Sequence, residues 1–241
     1  NKYDKQNIAI SIFLSKYFRE NKAIGSKDRK FISNTIYGIV RWKGLLDYLC
    51  TSEKNNENRL EIFLKINIKD YIHDESIPPH IRVSFPKSYF KLIEDCYGQK
   101  KALDICSISN EKAPVTIRCN ALKTSHEELY NKLQEKYRVS KCTKAKNGMI
   151  FHTPMNFYIM EEYKNGLFEI QDEGSQLISS YVKAKPNEKV LDFCSGSGGK
   201  TLAFGPDMQN KGIIYLYDIR ENILKEAKKR LKRANIQNYQ F

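Results

Sequence analysis

The chain has 241 residues, enough for one or two domains with real cores. Hydrophobic residues at 41% and aromatics at 12% exclude a disordered chain, and 41 Lys plus Arg against 28 Asp plus Glu leave +13, which favours a polyanionic partner such as RNA. The absence of a signal peptide or long apolar run argues against secretion or a membrane span; together with six cysteines lacking any Cys-x-x-Cys pair, it predicts reduced thiols, a cytoplasmic location and no metal.

Residues 1–50 read as helices. Ile8 and Ile12, Phe13 and Tyr17, and Leu14 and Phe18 are each four apart, on overlapping helix faces. Gly25 breaks the run, and Ser26 is the predicted N-cap of a second helix carrying Phe31, Ile32, Ile36, Ile39 and Val40. This stretch has ten basic and four acidic residues, the charge pattern of a surface that docks on phosphates without reading sequence. Residues 51–59, rich in Glu and Asn, read as a loop, and 60–72 as helix. Ile77-Pro78-Pro79-His80 is the clearest punctuation of the first half and marks a boundary. Helices follow over Tyr89 to Tyr97, ending at Gly98, and over roughly 99–108.

From Pro114 the period changes. Val115 to Cys119 alternates like a strand. Thr124 and Ser125 each stand three before a Glu, a capping-box signal for a helix through Leu129 and Leu133. Strands are predicted at 137–142, 148–153 and 167–171, a β-α-β-β order that RNA-recognition sheets share. The four histidines, His73, His80, His126 and His152, are scattered and read as surface or structural residues. Residues 172–184 suit a helix with Asp172 or Ser175 as its cap.

The richest stretch is Val190 to Thr201. A short strand at 188–193 runs into Cys194-Ser195-Gly196-Ser197-Gly198-Gly199-Lys200, and a second strand from Gly212 to Tyr217 ends at Asp218, 20 residues after Gly198. A strand, a glycine turn, a helix and an acid closing the next strand make the first half of a nucleotide-binding βαβ unit. The leading glycine of a P-loop falls on Cys194, and the last position of the dinucleotide pattern falls on Thr201. A loop without either phosphate signature suits S-adenosylmethionine (SAM), with Asp218 accepting from the ribose hydroxyls. The candidate cofactor residues are therefore Cys194, Ser195, Gly196, Ser197, Gly198, Gly199, Lys200 and Asp218. A helix follows at 221–234, with Ile223, Leu224, Ala227 and Leu231 inward. Lys225, Lys228, Lys229, Arg230, Lys232 and Arg233 form its polar side and read as a solvated face. Asn238 to Phe241 is expected to start a third strand.

Four blocks resemble the RsmB-type (Sun/Fmu) RNA cytosine-5 methyltransferases. They are Asp28-Arg29 through Trp42, Ile117-Arg118-Cys119-Asn120 with Leu122-Lys123, Phe168 to Ser175, and Leu191 to Thr201. The resemblance implies three parts. These are an all-α NusB-like RNA-binding domain over 1–78, linker helices with an α+β RNA-recognition-like subdomain over 79–170, and the truncated start of a Rossmann-like class I methyltransferase domain over 171–241. It also implies SAM as cofactor and ribosomal RNA as partner. The family's Ala-Ala-Pro is here Ser195-Gly196-Ser197, and an Arg common five residues after the ribose acid is here Ile223. The family's thiolate adds to cytosine C6 from a Pro-Cys motif, and no cysteine here follows a proline. No catalytic residue is named among these positions, and the catalytic cysteine is expected beyond residue 241. Two alternatives stay open: a non-catalytic RNA-binding protein with a NusB-like domain, and a SAM-dependent methyltransferase of another RNA atom or of protein.

Overall fold

The computed structural model describes residues 8–51, 53–153 and 155–241. The chain divides into two units, 1–112 and 113–241.

The described part of the first unit is helical: α1 (Ile10–Glu20), α2 (Ser26–Arg41), α3 (Lys43–Leu49), α4 (Asn56–Lys65), α5 (Lys69–Ile72), α6 (Pro79–Arg82), α7 (Lys87–Tyr97) and α8 (Gln99–Ser109). Three boundaries differ from expectation. The run read as one helix over 60–72 is interrupted between Lys65, where α4 ends, and Lys69, where α5 starts. Ser26 is the first helical residue of α2, not its cap; Gly25 holds that position without a side-chain bond. The polar stretch 51–59 is not all loop, because the Asn55 side chain accepts from the Asn58 N–H at 2.8 Å and starts α4 at Asn56. Helix α2 meets α4 where Gly38 leaves room for the Phe63 ring, which any Cβ would strike. Leu45 and Leu46 bury α3, and Ser84 Oγ accepts from the Gly44 N–H at 2.7 Å. Val83, Phe90, Ala102 and Cys106 form the core of α6 to α8.

The second unit contains two sheets. The first is built from β1 (Val115–Cys119), α9 (His126–Gln134), β2 (Val139–Lys141), β3 (Gly148–Phe151), α10 (Glu161–Lys164) and β4 (Phe168–Ile170). Its strands lie in the order β2-β3-β1-β4, all antiparallel, the split βαβ arrangement read twice. Ser125 and Glu128 close the expected capping box at the start of α9. One face packs Ile117, Cys119, Met149 and Phe168 on Leu129, Leu133 and Phe157. The other face is also dry at β1 and β4: Thr116, Arg118 and Glu169 are each buried, with Arg118 and Glu169 paired across the strands. An RNA-recognition sheet stacks bases on an open face; here that part of the face is closed.

The remaining elements are α11 (Glu173–Ser180), β5 (Lys189–Asp192), α12 (Gly199–Phe204), β6 (Ile213–Leu216), α13 (Glu221–Ala234) and β7 (Tyr239–Gln240). Of the two cap candidates for α11, Asp172 is the one used, accepting from the Ser175 N–H at 2.8 Å. The strands form a parallel sheet in the order β5-β6-β7. Its inner face packs Ile214 and Leu216 on Leu202, Phe204, Ala227 and Leu231. Leu191, Phe193, Tyr215 and Tyr217 stay exposed, and the Phe193 and Tyr217 rings stack at 5.0 Å. Among the described residues no helix is long and apolar enough to cross a membrane.

Candidate functional site

The glycine loop leaves β5 and is pinned first by β6. The Ser195 N–H donates to the Tyr217 carbonyl at 3.0 Å, and the Gly196 N–H donates to Asp218 Oδ2 at 2.9 Å. The sequence-predicted acid and loop are thus joined by a direct bond. Gly196 (φ +52°) and Gly198 (φ +77°) both lie in the region open to glycine. Their surroundings differ. A Cβ on Gly198 would rest 3.4 Å from Ala227 Cβ, so this glycine serves backbone conformation and packing on α13. A Cβ on Gly196 would meet nothing nearer than Arg220 Nη2 at 3.9 Å. The open side of the loop is therefore at Gly196. Ser195 Oγ is buried there without a hydrogen-bond partner in the structure.

Asp218 is more heavily engaged than its sequence position suggests. Oδ1 accepts from the Arg220 N–H at 3.0 Å and from Arg220 Nε at 2.9 Å. Oδ2 accepts from Arg220 Nη2 at 3.0 Å in addition to Gly196. The Arg220 bonds hold the Asp218 carboxyl far below the usual carboxylate range. A carboxylate offers about four lone-pair sites, and here protein donors use four.

The other candidates are distributed around this core. Cys194 is exposed at the end of the strand. Ser197 faces α13, where Arg230 Nη1 donates to its carbonyl at 3.0 Å and its Oγ at 2.7 Å. The Gly199 carbonyl accepts from Gln171 Nε2 at 3.0 Å. Lys200 Nζ donates to Ser175 Oγ at 3.2 Å. Thr201 Oγ1 donates to Asp192 Oδ2 at 2.7 Å, which ties α12 to β5.

Arg230 and Arg233 correct the expected solvated face of α13. Both lie partly buried, and both donate to Glu169, whose side chain is only 2% exposed. Arg230 reaches it through Nε at 3.2 Å and Nη2 at 3.0 Å, Arg233 through Nη2 at 2.5 Å. The period of α13 points these positions along its edge, and a guanidinium is long enough to turn inward from there. Gln171 and Arg220 were also not foreseen as site residues. Gln171 stands in a block singled out by resemblance, whereas Arg220 follows the acid by two, a spacing with no motif attached.

Among the described residues no group of three or more potential metal ligands occurs. An apolar groove of about 880 Å³ lies in the first unit, lined by Phe31, Ile36, Val40 and Leu60 among others; it contains none of the candidate residues.

Comparison with known proteins bears on both sheets. A family model described as "Methyltr_RsmF/B-like, ferredoxin-like domain" matches residues 85–158, and the "ubiE/COQ5 methyltransferase family" model matches 142–241. The probable ribosomal RNA small subunit methyltransferase B of Bacillus subtilis is 32% identical, over 94% of this chain and 63% of its own length. The chain is thus similar to RsmB-type methyltransferases over most of its own length. A second such relative, the ribosomal RNA small subunit methyltransferase B of Proteus mirabilis, is 24% identical over 85% of this chain and 47% of its own. The chain spans 47% and 63% of the lengths of these two relatives, about half. A solved methyltransferase homolog from Pyrococcus horikoshii is 28% identical, with a TM-score of 0.61 over 67% of this chain and 53% of that one. NSun6 from the same organism, solved with SFG, shares the fold at 16% identity, with a TM-score of 0.56 and 64% of each chain covered. The second unit of the chain accordingly contains a methyltransferase-like fold that fits the start of a class I domain.

Proposed function

We propose that this chain supplies RNA-binding parts and the first half of the cofactor site of a SAM-dependent RNA cytosine-5 methyltransferase acting on ribosomal RNA. The observation that carries the reading is the bond from the Gly196 N–H to Asp218, which places an open glycine turn beside the acid ending the second parallel strand. The residues suit SAM. Cys194 to Lys200 would hold its amino-acid part and Asp218 its ribose, with Ser195 Oγ a buried hydroxyl still free to bond. The cofactor would supply an electrophilic methyl group.

The thiols support leaving the nucleophile unassigned. Burial raises Cys106 and pushes Cys119 and Cys142 up to about 11, so these three stay protonated near neutral pH and are poor nucleophiles. Cys194 sits in the cofactor loop. We take residues 1–78 as a NusB-like RNA-binding domain, 79–170 as linker helices with the α+β subdomain, and 171–241 as the start of the methyltransferase domain. The +13 charge favours RNA as the partner, and the setting is cytoplasmic. In the first unit Arg29 is committed to the Ile24 carbonyl and the Phe18 ring, which leaves phosphates to other bases such as Lys27 and Lys30.

The test incubates the 241-residue chain with tritiated SAM and undermethylated ribosomal RNA, alongside calorimetry. SAM binding that weakens about tenfold in Asp218→Ala, without methyl transfer, is the expected result. A methylated product other than 5-methylcytidine would favour the reading as another methyltransferase, and absence of SAM binding would remove the cofactor assignment. Formation of 5-methylcytidine by this chain would show that one of its own cysteines serves.

A further inference from the structure

Two hydrogen-bonded arms rise from adjacent strands of the antiparallel sheet and end on the two carbonyls that flank Gly198. The first runs from Glu169 on β4 to Arg230 on α13, and from Arg230 Nη1 to the Ser197 carbonyl and Oγ. The second runs from Arg118 on β1, whose Nε donates to Gln171 Oε1 at 2.8 Å, and from Gln171 Nε2 to the Gly199 carbonyl. Arg118 and Glu169 are cross-strand partners, so the two arms share one base. Both roots are buried, at 4% and 2% exposure, in surroundings where a bond is neither screened nor replaced by water. The other end of the loop, at Ser195 and Gly196, is held by β6.

We infer that Arg230, oriented by Glu169, and Gln171, oriented by Arg118, are positioning residues that set the glycine loop for its nucleoside ligand. The antiparallel sheet then acts on the cofactor loop, although no part of β1 or β4 belongs to the nucleotide-binding unit. A guanidinium suits the task because one planar fork bonds Glu169 with two nitrogens and the loop with the third. Lysine at 230 offers one nitrogen in place of this fork. Gly198 has positive φ, and its own N–H and carbonyl are bonded within the loop and helix, to the Ser195 carbonyl and the Leu202 N–H; the carbonyls on either side of it, of Ser197 and Gly199, are the ones that the two arms hold. The inference rests on reading the loop as a SAM site.

Arg233 provides the control. It bonds the same buried carboxylate but makes no bond to the loop in the structure. Arg230→Lys and Arg233→Lys each disturb the Glu169 cluster, and Arg233→Lys also loses the guanidinium stacked 4.0 Å from the centre of the Tyr163 ring, so a purely structural role makes Arg233→Lys at least as damaging. A positioning role predicts that Arg230→Lys weakens S-adenosylhomocysteine binding about tenfold and shifts the Gly196, Gly198 and Gly199 amide resonances of the ligand-free chain. Arg233→Lys should leave both near wild type. Ser197→Ala, which removes one acceptor of the first arm, and Gln171→Leu, which removes the second arm, should reproduce the amide shifts in part even if Arg230→Lys does not fold. Equal effects of the two arginine variants, or loop amides unmoved by Ser197→Ala and Gln171→Leu, would overturn the inference. If the wild-type chain does not bind S-adenosylhomocysteine, the cofactor reading fails by itself, and the amide shifts still decide whether the arms hold the loop.

Discussion

The two sheets of the second unit are built from similar lengths of chain and treated differently by their surroundings. The antiparallel sheet is dry on both faces at β1 and β4, with an aromatic and aliphatic core on one side and the Glu169 cluster on the other. The parallel sheet is covered on one face only. Leu191, Phe193, Tyr215 and Tyr217 remain 59%, 62%, 37% and 49% exposed on the second. Parallel sheets are ordinarily covered on both faces, because the crossover helices of their βαβ units pack there. An antiparallel sheet tolerates an open face, yet here it is the one that is closed. The difference shows that sheet type does not decide which sheet anchors this unit; what packs on the sheet does. The charged second face of β1 and β4 is buried because it has its own partners, Arg230 and Arg233 on α13 for Glu169 and Gln171 for Arg118.

The largest effect that separates the sheets is a cavity. Phe168 is fully buried and packs edge-on against Phe157 and beside Tyr163. Phe168→Ala should destabilise the chain by about 3–5 kcal/mol. Phe193→Ala removes the same side chain from an exposed position and should change stability by no more than about 0.5 kcal/mol. Urea unfolding of the two variants makes the measurement. Similar losses would mean that the parallel sheet's outer face is covered in solution.

A thiol gives a second, smaller reading of the covered sheet. Cys119 lies buried on β1, and burial pushes its thiol up to about 11, from an ordinary value of 9.0. Its folded value is raised, so the neutral thiol contributes stability in full below pH 9, and that contribution is lost as pH rises to about 11. The loss attributable to Cys119 should be on the order of 2 kcal/mol. It is measured as the difference between the wild-type chain and Cys119→Ala in reducing buffer, with unfolding free energies compared at pH 8.5 and pH 11. A pH dependence identical in both proteins would place Cys119 in contact with water and weaken the description of β1 as dry.

Much of this fold was legible in residues taken a few at a time. The Ser125 capping box, the break at Gly98, the strand at Val115 to Cys119 and the helix at 221–234 all follow from spacing within one turn or one strand. So did the candidate loop and its acid, because a glycine turn and a strand end leave marks in sequence. The jobs of Glu169, Gln171, Arg230 and Arg233 did not. Each depends on a partner 28 to 64 residues away, and the helical period of α13 assigned both arginines to solvent. Periodicity reports where Cβ points, whereas a long side chain is placed by the charge that it finds. The closed face of the antiparallel sheet was hidden for the same reason. Thr116, Arg118 and Glu169 look like a polar outer face until their partners on another element are known.

The smallest effect lies at the open edge of the parallel sheet, and its sign is unusual. Arg220 is exposed, yet it occupies three of the four acceptor positions of Asp218. One of these is a backbone bond that no substitution removes; the other two belong to the guanidinium. A ligand hydroxyl that bonds Asp218 must first displace those two. Arg220→Ala removes the competitor and leaves the Gly196 N–H bond to the acid intact. Exposed ion pairs are weak and screened by salt, so the gain in SAM affinity should be about two- to fivefold, with the larger figure at low ionic strength. Asp218→Ala should move affinity the other way, and the double variant should match Asp218→Ala, since Arg220 then has nothing to vacate. Calorimetric titrations of the three variants at two salt concentrations test this. If Arg220→Ala weakens binding instead, Arg220 touches the ligand itself, and the open side of the loop is bounded by that side chain rather than blocked by it.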